Sequence, residues 1–139
     1  MKRASTMPAI LHSAAVRELV PLLFVDDIQL CVGFYVDKLG FKVEARWEPE
    51  GALAWCKMRR DGSAIMLQQA DEEDGPASER GRGVYFYFDC DDVDTMYREV
   101  VARGLKVKPP KVAYYGQKQI SVRDPNGYHL WFQSPAKPG

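Results

Sequence analysis

The side chains in this chain that could do chemistry are few. There are two histidines, His12 and His129, and three scattered cysteines, Cys31, Cys56 and Cys90. A histidine acting as general base needs an orienting carboxylate and a substrate proton within reach. Neither is visible around His129, for which a hydrogen bond to a ligand or a neighbouring strand is the plainer role. No two cysteines form a C-x-x-C pair, so neither a zinc knuckle nor a redox couple is indicated. Each cysteine lies in an apolar segment and reads as a small buried hydrophobe in a reducing, cytoplasmic setting. Aromatic and amide groups, by contrast, recur at two-residue spacing. Tyr85, Tyr87 and Asp89 alternate along one run, and His129, Trp131 and Gln133 along another. Alternation at that period places each trio on one face of a strand.

Those runs need a scaffold, and the chain writes it twice. Phe24-Val25-Asp26-Asp27-Ile28 precedes a helix-like segment and then Leu39-Gly40-Phe41-Lys42-Val43; Asp89-Cys90-Asp91-Asp92-Val93 precedes another and then Arg103-Gly104-Leu105-Lys106-Val107. Arg60-Asp61-Gly62 opens one late strand, and Arg123-Asp124-Pro125-Asn126-Gly127 opens its counterpart. A unit of roughly 65 residues is therefore repeated, and equivalent positions in two copies can face one cavity.

Each copy reads βαβββ. In the first, strands are expected near 19–25, 42–48, 52–59 and 64–69, with a helix over 28–38 capped by Asp26 and Asp27 and stopped at Gly40. In the second, strands are expected near 84–90, 106–108, 117–122 and 128–133. Val93, Met96, Tyr97, Val100 and Val101 form the apolar stripe of its helix. The fold class is α+β: two βαβββ modules forming cupped mixed sheets around a shared cavity. Residues 1–16 read as an N-terminal extension and 17–135 as one domain. Its modules fall at 17–70 and 83–135, joined by a polar, glycine-rich linker at 71–82 and followed by a tail at 136–139.

Composition narrows the partners. Nineteen basic and nineteen acidic residues balance to a formal charge of zero, which removes the electrostatic argument for nucleic acid or an anionic membrane. No run of about 18 apolar residues is present to cross a bilayer, and residues 1–13 lack the apolar core of a secretory signal.

The motifs Val25-Asp26-Asp27-Ile28, Phe34-Tyr35 with Leu39-Gly40-Phe41, and above all Asp124-Pro125-Asn126-Gly127-Tyr128 resemble the vicinal oxygen chelate superfamily over roughly residues 19–135. That group includes glyoxalase I, extradiol dioxygenases, and fosfomycin- and bleomycin-resistance proteins. Its enzymes typically place metal ligands at four pseudo-equivalent positions, and the resemblance maps these onto Val20, Met66, Tyr85 and Trp131. None supplies the imidazole, carboxylate or carbonyl donor that a hard or borderline divalent ion requires. A two-residue slip, which keeps the strand face, offers only Gln68 and either His129 or Gln133. Neither a metal nor another cofactor is expected.

On this fold the cavity face carries Val20, Leu22 and Phe24, then Ala64, Met66 and Gln68, with Tyr85, Tyr87, Asp89, His129, Trp131 and Gln133 opposite. Trp47 and Trp55 stand at floor or rim, and Tyr115 and Gln119 sit at a hairpin near Gly116 that can overhang it. Flat rings with a few phenol, amide and carboxylate groups suit a bulky, hydrophobic or aromatic ligand. The alternative, a filled core, would bury tyrosines, glutamines, His129 and Asp89 at a cost unless each found a partner. The expectation is metal-free sequestration of an aromatic small molecule or antibiotic, in the manner of bleomycin-resistance-type proteins, by a homodimer. Its rival is a metal-dependent lyase, isomerase or oxygenase with an atypical site.

Overall fold

The structure, a computed structural model, describes residues 12–137. The first module contains β1 (Leu22–Val25), α1 (Ile28–Gly33), β2 (Lys42–Trp47), β3 (Trp55–Arg60) and β4 (Ser63–Gln69). The second contains β5 (Tyr85–Asp89), α2 (Val93–Ala102), β6 (Lys111–Val112), β7 (Gln117–Arg123) and β8 (His129–Pro135). Two four-stranded mixed sheets result, ordered β1-β4-β3-β2 and β5-β8-β7-β6. In each, the first strand runs parallel to the last and the other pairs are antiparallel. This is the α+β, two-module arrangement that the internal repeat implies.

Local chemistry sets the helix starts. The Asp27 side chain accepts from the Leu30 N–H at 3.1 Å. Asp92 accepts from the Asp94 N–H at 3.3 Å and from the Thr95 hydroxyl at 2.8 Å. Both are N-caps that satisfy donors the helix cannot. The first helix continues beyond α1 as a π-turn over Phe34–Lys38 and ends before Gly40, whose φ of +74° suits glycine.

Several strand starts and one helix face differ from the pattern-based reading; the third strand, expected from residue 52, starts at Trp55. Strand pairing begins at Leu22 rather than Leu19, which is 88% exposed. No strand forms at 106–108; pairing resumes only at Lys111, just past Pro109 and Pro110, which have no N–H to donate. Val101 completes the sequence stripe of α2, yet it is exposed, and the buried residues of that helix are Val93, Met96 and Val100. A ten-residue helix has only a narrow buried seam, and an i+8 neighbour falls outside it.

Both helices and both sheets share one core. Leu23, Val25, Cys56, Met58, Ile65 and Leu67 enter it from the first sheet, and Ile120, Val122, Leu130 and Phe132 from the second. Ile28, Cys31 and Tyr35 join from the first helical segment, and Val93, Met96 and Val100 from α2. Each sheet therefore has one face in the shared core and one face pointing away from it.

The last hairpin turn of each module reaches into the other. Asp124, only 4% exposed, accepts from the Tyr35 hydroxyl at 2.8 Å and from the N–H groups of Asn126 and Tyr128, both at 2.9 Å. The Tyr128 hydroxyl donates to the Phe24 carbonyl at 2.9 Å, and the Asp26 N–H donates to the Asn126 side chain at 2.8 Å. In return, Arg60 forks onto Glu99 at 2.7 and 2.9 Å and donates to the Leu39 carbonyl at 2.8 Å. The segment between modules carries two short 3-10 turns and is fastened by Arg80, which donates to Asp26 and to the Gly75 carbonyl, each at 2.7 Å.

Tyr35→Phe removes one donor from a buried carboxylate and is expected to cost about 1–3 kcal/mol in a chemical denaturation curve. Asp61→Asn, at the equivalent but exposed turn position, should change stability by less than about 0.5 kcal/mol.

Candidate functional site

The free face of the second sheet gathers most of the aromatic and amide groups picked out by alternation. Tyr85, Tyr87 and Asp89 on β5 stand opposite His129, Trp131 and Gln133 on β8, in register. Tyr87 stacks on Trp131 with ring centroids 5.9 Å apart and planes within 9°. Tyr85 meets His129 edge-on at 4.6 Å. The row stays open: Tyr85 is 55% exposed and Tyr87 48%. The indole Nε1 of Trp131 is shielded from solvent and has no hydrogen-bond partner, a state worth about 1–3 kcal/mol to relieve.

Beside the rings, on the same face, runs a chain of polar groups. Gln133 donates to Asp89 at 2.9 Å, Gln119 donates to Gln133 at 2.9 Å, and Gln119 also donates to the Tyr115 hydroxyl. Because Asp89 can only accept when ionised, it fixes the orientation of Gln133, which in turn fixes Gln119. Burial and the neighbouring Tyr115 hold the Tyr87 hydroxyl pKa above the ordinary phenol value. The ligands expected here are thus not free-swinging side chains but members of a connected, oriented surface.

The first sheet contributes a second free face. Met66 and Gln68 on β4 pair with Leu22 and Phe24 on β1, and Gln68 also pairs with Trp55 on β3. Trp47 on β2 pairs with Trp55 and is 60% exposed. Among the described residues, no hydrogen bond or ring contact joins this set to the one on the second sheet. Within one chain the candidate residues lie on two sheets, and Trp47, Tyr85 and Tyr87 stay about half exposed there. Two clefts, of about 570 and 680 Å³, flank the Arg60–Glu99 pair; of the candidates, only Tyr87 and Asp89 touch the larger one.

Alternation missed the charged groups of the first face. Trp55, Lys57 and Arg59 share it, and Glu44 lies on Arg59 at 2.7 Å. The period-two pattern continues from Trp55 through Lys57 to Arg59, so this signal was present in the sequence.

Nucleophilic and metal chemistry find little support in these groups. Burial pushes the Cys31 thiol up to about 12, and burial also raises Cys56 and Cys90, so none is an activated thiolate. The charged group acting on His129 is Arg123 rather than a carboxylate. Val20, Met66, Tyr85 and Trp131 offer an alkyl group, a thioether, a phenol and an indole. No cluster of three His, Cys, Asp or Glu side chains suited to a metal occurs among the described residues. The donor set does not fit the divalent ion typical of the enzymes this chain resembles.

A family model described as the glyoxalase/bleomycin resistance protein/dioxygenase superfamily matches residues 10–132. Among solved structures, a glyoxalase/bleomycin resistance protein/dioxygenase from Nocardioides is similar over 97% of this chain and 94% of its own, at 20% identity and a TM-score of 0.70. TnmS3, an antibiotic binding protein from Streptomyces sp. CB03234, is 25% identical over 90% of this chain and all of its own, with a TM-score of 0.67. TioX from Micromonospora sp. ML1 is 22% identical over 88% and 98%, with a TM-score of 0.65. No curated protein matches the chain.

His129 titrates below the ordinary imidazole value, through burial first and the Arg123 charge second. Proton NMR should find its midpoint below that of an ordinary exposed imidazole. Arg123→Gln should move the His129 midpoint upward.

Proposed function

We propose that this chain, which belongs to the glyoxalase/bleomycin resistance protein/dioxygenase superfamily, is a binding protein that sequesters a bulky aromatic small molecule, such as an antibiotic, without a metal. The observation that carries the reading is the half-open row of Tyr85, Tyr87 and Trp131, in which Tyr87 is already stacked on Trp131 and which the Asp89–Gln133–Gln119–Tyr115 chain continues along the same face. Two of those rings, Tyr85 and Trp131, stand where the resemblance would put metal ligands. A planar ligand can replace solvent over such a surface with little loss of side-chain freedom, because the rings are already ordered. TnmS3 binds an antibiotic by its description, and we extend that class of ligand to this chain.

The binding form in this reading is a homodimer. One chain leaves the rings on both free faces about half exposed and does not cover them. A second copy can, with the Met66, Gln68, Trp55 and Trp47 face of one protomer covering the Tyr85, Tyr87 and Trp131 face of its partner. Burying half-exposed aromatics in this way is a typical driving force for association. Three unpaired cysteines fit a reducing cytoplasm as the place of action, and resistance through sequestration would be the biological outcome.

Trp131→Ala should weaken binding of planar aromatic antibiotics by at least about tenfold in calorimetry, near 1.4 kcal/mol, while leaving the folded state intact. Retained affinity in a folded Trp131→Ala protein would sink this assignment. Light scattering should give a mass twice that of the chain. Plasma mass spectrometry after loading with Mn, Fe, Ni and Zn and desalting should find no ion bound in stoichiometric amount; one ion per chain would favour the lyase, isomerase or oxygenase reading.

A further inference from the structure

The segment leading into β1 crosses the free face of the first sheet and is pinned there by a single side chain. Glu18 accepts from both terminal nitrogens of Arg59, at 2.7 and 3.0 Å, and lies 3.7 Å from the Lys57 ammonium. Arg59 completes its fork by donating from Nε to Glu44 at 2.7 Å, and Glu44 sits 3.4 Å from Lys57. Around Glu18 the segment is barely packed: Val16 is 94% exposed and Leu19 88%. Among the described residues before Pro21, the only hydrogen bonds to the body of the protein are those to the Glu18 carboxylate. A contact made of charge alone, with no apolar burial behind it, is readily exchanged for another anion.

We propose that Lys57 and Arg59 form an anion subsite on the candidate ligand face, and that Glu18 is its intramolecular occupant, displaced when an aromatic ligand brings a carboxylate or a similar planar anion. The geometry is that of carboxylate recognition, a planar fork meeting two oxygens. The position is also apt. Lys57 is one strand repeat from Trp55 and Arg59 is two, or about 13 Å along the strand. An aromatic body over Trp55 and Trp47 therefore has the cations within its own length. With Glu18 in place, Lys57, Arg59, Glu18 and Glu44 sum to zero charge; with it released, the face carries one net positive charge. The inference rests on the reading of the free faces as ligand-binding surfaces.

Two measurements on the full chain test it. Trypsin cleavage after Arg17 should accelerate several-fold in Arg59→Gln, which leaves the cleaved sequence untouched; an unchanged rate would show that Arg59 does not hold the segment and would overturn the proposal. In calorimetry, Glu18→Gln should bind 2-naphthoate about tenfold tighter than the wild type, the scale of a charge-assisted pair, and 2-naphthamide equally. Equal naphthoate affinity in both proteins would overturn the anion subsite. A naphthoate gain with no naphthamide binding to either protein would uphold the subsite and refute the aromatic-ligand reading.

Discussion

Asp124 is a carboxylate held almost entirely out of water, and the relation between the two modules depends on what surrounds it. Burial alone raises its pKa, while the Tyr35 hydroxyl and the backbone N–H groups of its own turn oppose that by stabilising the charge. The Tyr35 hydroxyl is itself pushed well above its ordinary range, first by burial and then by Asp124. Each group is tolerable inside only because the other is there. Since Tyr35 belongs to the helical segment of one module and Asp124 to the last turn of the other, this mutual need fixes one module against its neighbour. Tyr128, on the same turn, extends the joint to the β1 backbone.

That joint decides where chemistry can occur. The shared core claims one face of each sheet, and the opposite faces are left to solvent. Tyr85 and Tyr87 on the second sheet and Trp47 on the first are open to solvent for this reason. Rings on a single exposed face must be held flat by neighbours, which Tyr87 and Trp131 provide for each other. The amide chain beside them supplies direction, since its hydrogen bonds start from a carboxylate acceptor. Recognition would then be set by a rigid surface more than by side-chain rearrangement.

Much of this was legible from residue order because a strand repeats every two residues. Tyr85, Tyr87 and Asp89 had to share a face, as did His129, Trp131 and Gln133, whatever the fold around them. The duplicated motifs placed the helices and strands for the same kind of reason: caps and glycines act locally. What could not be read is nonlocal. Glu18 and Arg59 are 41 residues apart and Tyr35 and Asp124 are 89 apart, and no periodicity links such partners. Asp124 reads as an ordinary turn aspartate, and only the neighbouring module makes it a buried joint. Val101 failed for a related reason, because a helical stripe says which residues align and not how wide a seam the neighbours cover.

The two hairpin turns invite a last comparison. Asp61 and Asp124 hold matching places in the repeated unit, yet the side chain of one is 92% exposed and the other residue is almost wholly enclosed. Duplicated modules start with equal selective weight at every matched position, and these two no longer have it. Position 61 is free to drift, restrained mainly by its left-handed backbone, where φ is 48°. Position 124 is anchored by a partner that would have to change with it. Across descendants of such a chain, variation should therefore accumulate in the first turn while the second stays nearly constant, so the ancestral symmetry is erased from one side only.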